Sequence, residues 1–249
     1  MSKKPQKPYY VKRKPFFRMV KHILRQIKPR VTVIDQNAGQ GPLEPGIFLS
    51  NHSAATGPLM IELYMPYDHH PWGAHQMNGR IRSRFNYLYR VFYRQKKHMK
   101  KVPAFLLASV ACLFSKMLYR GMGLISTYPD IRLKETMDKS IAYIEKGTSV
   151  VIYPENSARG YHEIIGQFLG GFTQLAKMYY QKHGRDLPVY SMYFHQPTST
   201  MVISTPENAG AMLRSGMTVE QVCAYFCKKT NDLHDEYIEP IKAQQKAIG

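Results

Sequence analysis

Acidic residues are scarce in this sequence. Asp and Glu number 17 against 35 Lys and Arg, which gives the 249-residue chain a formal net charge of +18. Such an excess favours a polyanionic neighbour, for example nucleic acid, an anionic membrane face or a phosphate-rich substrate. A highly charged soluble surface is the alternative, although a balanced mixture of signs would serve solubility as well.

Cysteine is also rare, and this argues against a disulfide-rich scaffold. The three cysteines are Cys112, Cys223 and Cys227, which cannot form an even framework of bridges and suit a reducing compartment. Cys223 and Cys227 are four positions apart and would share one face of a helix. We expect them to be small buried side chains rather than metal ligands.

Long hydrophobic runs are absent. The longest extends from 103 to 114 and is soon followed by Lys116, so it is shorter than the roughly 18 to 20 residues that cross a bilayer. Before residue 30 the chain is basic and lacks the apolar core of a secretory signal. We therefore expect a cytoplasmic protein whose membrane contact is peripheral, on the inner face of the cell membrane.

Two units are predicted, a terminal segment at 1–30 and an α/β domain at 31–249. The first comprises a basic arm and an amphipathic helix from 15 to 28, whose apolar residues recur at helical spacing. Its intervening cations are Arg18, Lys21, Arg25 and Lys28. The helix either docks on the protein core or lies in the headgroup layer with these cations toward lipid phosphates.

Strands and helices alternate along the second unit, which favours an α/β layer architecture. Short apolar runs predict strands at 31–34, 47–49, 72–75, 149–152, 187–194 and 201–204. Helical spacing predicts helices at 59–64, 133–144 and 168–182, and a capping box of Thr218 with Gln221 predicts another helix after it.

Two blocks repeat one pattern, an apolar strand followed by a polar turn. Residues 51–58 (Asn-His-Ser-Ala-Ala-Thr-Gly-Pro) lie between the strand at 47–49 and a helix. Residues 153–159 (Tyr-Pro-Glu-Asn-Ser-Ala-Arg) follow the strand at 149–152. The segments 123–127 (Gly-Leu-Ile-Ser-Thr) and 187–189 (Leu-Pro-Val) complete the set.

These four blocks, in this order, resemble the lysophospholipid acyltransferase superfamily, over roughly residues 30 to 205. Asn51, His52 and Pro58 match the first block, but Gly57 stands where the family has the acid of its His-x4-Asp motif. In the third block Tyr153-Pro154-Glu155 and Ser157 match, Asn156 replaces Gly, Ala158 replaces Arg, and Arg159 is one place late. Thr127 stands where the second block ends in Arg.

The resemblance implies a single-domain mixed β-sheet flanked by helices, like that of glycerol-3-phosphate acyltransferases. It also implies an O-acyltransferase that moves a fatty acyl group from an acyl thioester, acyl-CoA or acyl-carrier protein, to a hydroxyl of a lysophospholipid or related lipid. No bound cofactor and no metal are expected. An inactive lipid-binding relative is the alternative, because the acid is missing.

The same resemblance implies a role for each site residue. His52 would be the general base, acting directly on the acceptor hydroxyl. Glu155 and the polar residues after it, Asn156, Ser157 and Arg159, would line the acceptor pocket together with Asn51. Arg159 is the best remaining phosphate ligand, because a guanidinium binds phosphate through two parallel hydrogen bonds. With two expected arginines replaced, an acceptor with a smaller or absent phosphate stays open.

Something other than residue 57 must orient His52. Water, a backbone carbonyl, or a carboxylate from Glu62, Asp68 or Glu163 could do so. Glu62 is a poor substitute, because five positions beyond Gly57 on a helix place it largely off that face. The histidines at 69, 70 and 75 are expected at the surface rather than in a metal site.

A further basic segment alternates with aromatic residues between 79 and 101. Such interleaving is offered by nucleic-acid surfaces, but no recognised nucleic-acid motif accompanies it. We therefore consider nucleic acid unlikely, and favour an anionic membrane surface or an acyl-carrier protein as the partner. A solvated helix face is the structural alternative.

Overall fold

Two short apolar runs form neighbouring, fully buried strands at the centre of the sheet. The computed structural model describes residues 15–41, 43–53, 56–156 and 162–248. The run at 47–49 begins β2 (Ile47–Ser50), and 149–152 is β5 (Ser149–Ile152); all eight residues of the two strands are buried. Strands covered on both faces need apolar side chains on both, and these runs supply them.

The remaining strands and the helices follow in the alternation that the sequence predicts. The other strands are β1 (Thr32–Asp35), β3 (His69–Ala74), β4 (Ile125–Thr127), β6 (Val189–His195) and β7 (Thr200–Glu207). The α-helices are α1 (Pro15–Ile27), α2 (Gly57–Tyr64), α3 (Ile81–Asn86), α4 (Lys101–Gly121), α5 (Leu133–Glu145), α6 (Gly171–His183), α7 (Ala209–Arg214), α8 (Val219–Leu233) and α9 (Glu239–Ile248). The predicted capping box of Thr218 and Gln221 starts α8.

Within the described residues, seven strands form one mixed sheet in the order β1-β7-β6-β2-β5-β3-β4. From β6 to β4 neighbouring strands are parallel, whereas β6 and β7 are antiparallel and β1 lies parallel to β7. Parallel strands end at a common edge, so the turns after β2 and β5 emerge side by side. The expected α/β fold, a mixed sheet flanked by helices, is confirmed.

Helices cover both faces of this sheet. On one face, α5, α6 and α8 pack against Ile47, Leu49, Val150 and Ile152, and the buried Cys223 and Cys227 of α8 belong to this cluster as predicted. On the other face α2 packs against Phe48 and other strand residues, with Leu24 of α1 alongside. The alternation of side chains along β2 assigns successive residues to opposite layers.

Asn51 ties the end of β2 to β6. Its Nδ2 donates to the carbonyl of Phe194 at 2.9 Å, and its Oδ1 accepts from the Phe194 N–H at 2.8 Å. The side chain is 2% exposed. Both main-chain groups of Phe194 therefore depend on a single buried amide.

The amphipathic helix α1 docks on the domain, which is one of the two arrangements expected for it, and two of its cations contact α2. Lys21 Nζ lies 3.5 Å from Glu62 Oε1, and Arg25 Nε donates to the carbonyl of Leu63 at 2.8 Å. Phe17 is buried against Gly121 of α4. Helical spacing gives the angles between side chains but does not reveal which side meets the protein.

The apolar run at 103–114 is part of a longer helix than the sequence suggested. Helix α4 has 21 residues, and a stretch of 18 of them has a mean hydropathy of 1.7, so by length and composition alone it could cross a membrane. The run itself is too short to span, as expected, but the helix that contains it is longer, because Lys116 does not end the helix. It continues to Gly121.

The basic and aromatic segment at 79–101 is not simply a solvated face. It forms α3 and a π-helical segment, Tyr87–Lys96, which packs against α4 through Leu88. Arg84 is 4% exposed, and its guanidinium donates to Ser115 Oγ and to the carbonyls of Gly79 and Cys112. One cation of this segment therefore holds α4 in place.

Two histidines expected at the surface are buried. His69 and His70 are 3% and 1% exposed because they begin β3, which lies between β5 and β4. His69 Nδ1 is 2.8 Å from the carbonyl of Tyr67, and the ring of His70 stacks on Tyr143 at 3.6 Å. Imidazoles that contact carbonyls and aromatic rings fit an interior strand.

We predict that Asn51→Ala lowers the free energy of unfolding by about 2 to 4 kcal/mol, because two buried main-chain groups of Phe194 lose their partner. Urea unfolding measures the loss. Asn156→Ala is the matched control at an exposed amide, with an expected cost below about 0.5 kcal/mol. Equal effects of the two variants would contradict a stabilising role for the hydrogen bonds between Asn51 and Phe194.

Candidate active site

The parallel pairing of β2 with β5 brings together the two residues on which the sequence interpretation depends. His52 follows β2 and Glu155 follows β5 at the same edge of the sheet. The main-chain N–H of His52 donates to Glu155 Oε2 at 3.1 Å, and the His52 ring lies 5.4 Å from that of Tyr153 between centroids. The predicted base and the predicted pocket carboxylate therefore share one site.

A cavity of about 830 Å³ adjoins these residues. His52, Tyr153 and Glu155 contribute to its lining, and α1, α2, α4, β3 and the π-helical segment supply the other walls. Most of those walls are apolar, from residues such as Leu24 and Leu118. A volume of this size and an apolar lining with a few convergent polar groups are typical of small-molecule sites.

Glu155 is held in a mixed environment. Burial raises the pKa of its carboxyl, while hydrogen bonds from the main chain of His52 and His162 and the charge of Lys96 oppose that rise in pKa. Lys96, at the end of the π-helical segment, also lines the cavity. The site thus places a cation near a desolvated carboxylate, an arrangement that the basic 79–101 segment did not reveal in sequence.

A second carboxylate, Glu62 of α2, faces the same cavity. It is 2% exposed, and its Oε2 lies 3.4 Å from Nε2 of the buried His69. Burial and the negative charge of Glu62 raise the pKa of Tyr153, so the phenol beside His52 stays protonated. Sequence spacing placed Glu62 off the face of Gly57 and gave no sign that both His69 and Lys21 would contact it.

Gly57 is packed against the main chain of His52. A Cβ atom built on Gly57 would lie 2.2 Å from the carbonyl oxygen of His52, a distance that real structures do not contain. Helix α2 thus begins directly under that carbonyl, and Ser53 between them adopts φ +40°. An acidic side chain could not be placed at this position without moving the backbone.

The other proposed acids lie elsewhere. Asp68 precedes β3, so it lies at the opposite edge of the sheet from His52. Glu163 accepts from Lys242 Nζ at 2.7 Å and lies 3.1 Å from the Nε2 atoms of His195 and His234. These neighbours hold the pKa of Glu163 at about 2.

The remaining predicted pocket residues have different surroundings. Asn51 is directed to β6, as described above, and is not among the residues lining the cavity. Asn156 is exposed, and its main-chain N–H donates to the carbonyl of Gln167 at 3.0 Å. Ser157 and Arg159 lie outside the described residues. Thr127, where the resembled family has arginine, lines the cavity and donates to the carbonyl of Gly73 at 3.0 Å.

Comparison with known proteins yields one structural similarity. No protein-family profile and no curated protein matches this chain. Among solved structures, the chain is similar to the 1-acyl-sn-glycerophosphate (LPA) acyltransferase PlsC from Thermotoga maritima, with a TM-score of 0.46 and 10% sequence identity. The similarity covers 89% of this chain and 77% of that one. It concerns the arrangement of the backbone and does not bear on the reaction.

We predict that Gly57→Ala lowers the free energy of unfolding by about 1 to 3 kcal/mol, because even a methyl group forces the backbone of His52 to move. Gly57→Asp should cost at least as much. Gly166→Ala is the matched control, since a Cβ there meets nothing within 4 Å. Chemical denaturation of the three variants tests this, and a neutral Gly57→Ala would contradict the contact.

A second prediction concerns pH and Glu155. Because the pKa of this carboxyl is raised in the folded state, folding binds a proton, and its contribution to stability is lost as pH rises from the ordinary Glu value through the raised pKa. Glu155→Gln keeps an acceptor for the His52 N–H and removes this dependence. The variant should therefore gain stability relative to the parent as pH rises.

Urea unfolding of both proteins across the acidic to neutral range measures the difference. Glu135→Gln on the exposed face of α5 is the control and should track the parent at every pH. A gap between parent and Glu155→Gln that instead widens toward low pH would contradict the raised pKa.

Proposed function

We propose that this chain is an O-acyltransferase that moves a fatty acyl group from an acyl thioester to a hydroxyl of a lysophospholipid or related lipid. The donor would be acyl-CoA or an acyl-carrier protein. The observation that carries the proposal is a single cavity whose lining joins His52 and Glu155 to extensive apolar walls. Such a lining fits an amphiphile, with its reacting group beside the histidine and its hydrocarbon chain along the walls.

In the proposed reaction His52 acts as the base. Its imidazole takes the proton from the acceptor hydroxyl as that oxygen attacks the thioester carbonyl carbon. The tetrahedral intermediate then collapses, the carbon–sulfur bond breaks, and the proton passes to the departing thiolate. An ester and a free thiol result, without an acyl-enzyme. Histidine suits this step because its ordinary pKa lies near neutrality.

Glu155 would act by positioning. Its carboxylate accepts the main-chain N–H of His52, so it fixes the segment that carries the base. The geometry differs from that of a side-chain acid bound to the imidazole, because the contact is to the backbone. Glu155 would also shape the acceptor pocket beside Lys96, whose charge acts on it.

Cations from several elements would bind the acceptor. Lys96 and Lys21 line the cavity, whereas two arginines of the resembled pattern are replaced by Thr127 and Ala158. We therefore propose that the acceptor carries a small or absent phosphate, or one that lies near Lys96. Ser157 and Arg159 keep their proposed place as acceptor ligands.

An inactive lipid-binding protein is the second candidate, and the contact at Gly57 favours it. No carboxylate can be supplied from position 57, because its Cβ would collide with the carbonyl of His52. In the serine hydrolase triad, replacing the orienting Asp by Asn lowers turnover about 10⁴-fold. A comparable deficit here would leave a protein that binds lipid and transfers acyl groups very slowly.

We predict that His52→Gln abolishes thiol release from acyl-CoA in the presence of lysophospholipid acceptors, by at least about 10²-fold, the contribution typical of general-base catalysis. Release is followed with a thiol-reactive dye, and ester formation by mass spectrometry of the lipid products. A panel of acceptors with and without phosphate identifies the head group.

His75→Gln is the matched control. His75 follows β3, which is separated from β2 by β5, and its ring stacks on that of Tyr128 at 5.0 Å; His75 does not line the cavity. It should retain full activity. Equal activity of the parent and His52→Gln would remove His52 from the mechanism, and a parent that binds lipids yet produces no ester with any acceptor would favour the inactive relative.

A further inference from the structure

Acidic residues are distributed unevenly along the chain, and the fold brings the segments that lack them together. No Asp or Glu occurs before Asp35 or between Asp68 and Asp130. These two stretches contain α1, α3, the π-helical segment and α4. Phe17 of α1 packs directly against Gly121 of α4, so the acid-free elements are adjacent in space. One side of the molecule is therefore built from elements that carry cations and no carboxylate.

The two faces of α4 are the reverse of those of a helix in a water-soluble protein. The inward face consists of small residues, Ala104, Ala108, Cys112 and Ser115, all buried. The rest of the helix surface carries large apolar side chains that are between 45% and 70% exposed, namely Val102, Leu106, Leu107, Val110, Leu113 and Met117. A surface helix in water normally places its large apolar residues inward.

Helix α1 also exposes apolar side chains. Met19, Ile23 and Ile27 recur every fourth residue and are between 47% and 71% exposed. We call these three residues and the six large side chains of α4 the apolar face. Soluble monomers rarely expose apolar patches of this extent, and such patches mark contact with a membrane or another protein.

Cations surround the apolar face. Lys97, Lys100 and Lys101 are exposed at the amino end of α4, and Lys116 and Arg120 are exposed near its carboxyl end. Their long side chains can rest on apolar surface while the charged groups reach the level of lipid phosphates. Anionic lipids attract such basic residues beside an embedded apolar face. A second copy of this chain would bring like charges together around the same contact.

Arg84 fixes the orientation of α4 relative to this surface. Its buried guanidinium bonds to the carbonyl of Cys112 and to Ser115 Oγ, in the middle of the helix. A membrane-spanning α4 would have to carry this cation into the hydrocarbon or lose those bonds. A helix that lies in the plane of the interface keeps them, with its small residues against the protein and its large ones in lipid.

We propose that the apolar face docks on an anionic bilayer, with α4 lying parallel to the membrane plane. The same two helices wall the cavity: Phe114 of α4 is 56% exposed and also lines it, as does Leu24 of α1. If the proposed function holds, a lipid can then reach His52 from the bilayer without crossing water. Docking itself does not depend on acyl transfer.

Vesicle flotation of the full chain, without donor or acceptor, tests docking separately from activity. Phosphatidylcholine vesicles containing phosphatidylglycerol should bind the protein, and phosphatidylcholine alone should bind it more weakly. The test variant is Leu106→Glu with Leu113→Glu, which should weaken binding by more than about tenfold, because each substitution puts a charge where an apolar side chain meets lipid. The catalytic residues are unchanged in this variant.

The control variant is Ile131→Glu with Val219→Glu. Both residues are exposed apolar side chains away from α4 and α1, and the pair changes the net charge by the same amount. It should bind vesicles nearly as the parent does. Equal loss in both variants would mean that charge alone matters, and would overturn the docking face.

Two other outcomes would also overturn the proposal. If the parent does not bind vesicles and is a dimer, while the α4 variant is a monomer, a second copy of the chain covers the apolar face. If bound protein resists extraction by alkaline carbonate, α4 is inserted across the bilayer rather than along it. The proposal is supported if the parent binds anionic vesicles and is released from them by alkaline carbonate and by salt, while the α4 variant binds the vesicles much more weakly.

Discussion

His52 donates its main-chain N–H to Glu155 because β2 and β5 are parallel neighbours in register. Much of the site depends on that pairing. It sets two polar turns at one edge of the sheet, and Asn51, one residue before His52, fastens the same turn to β6. The backbone at the histidine and just before it is thereby held to the neighbours of β2 on both sides. The contacts that position the imidazole therefore act on the main chain that carries it.

The centre of the sheet and the meeting of His52 with Glu155 follow from the sequence. Both turns come after short apolar runs, and buried parallel strands end at one edge. The helices flanking the cavity are less predictable. In α4 the large apolar residues point away from the protein, so a periodicity argument that places them in a core assigns the faces of the helix in reverse.

The partners of the charged side chains could not be predicted from the sequence for a related reason. Lys21 and Glu62 meet 41 residues apart in sequence, and their contact exists only because α1 crosses α2. His69 and His70 are polar, yet they lie within β3, where carbonyls and aromatic rings satisfy them. Such contacts are set by tertiary packing, which a local pattern does not encode. The same limit applies to Lys96, whose position beside Glu155 depends on the π-helical turn that carries it.

The tight fit of Gly57 under the carbonyl of His52 limits what a single substitution can do at this site. A change from glycine to aspartate would create a His-x4-Asp spacing in the sequence, but the turn as built has no room for the side chain. An acid at this position would require the start of α2 and the loop before it to be rebuilt together. Any engineering of a carboxylate partner for the imidazole would therefore have to begin from another element, or from several changes made at once.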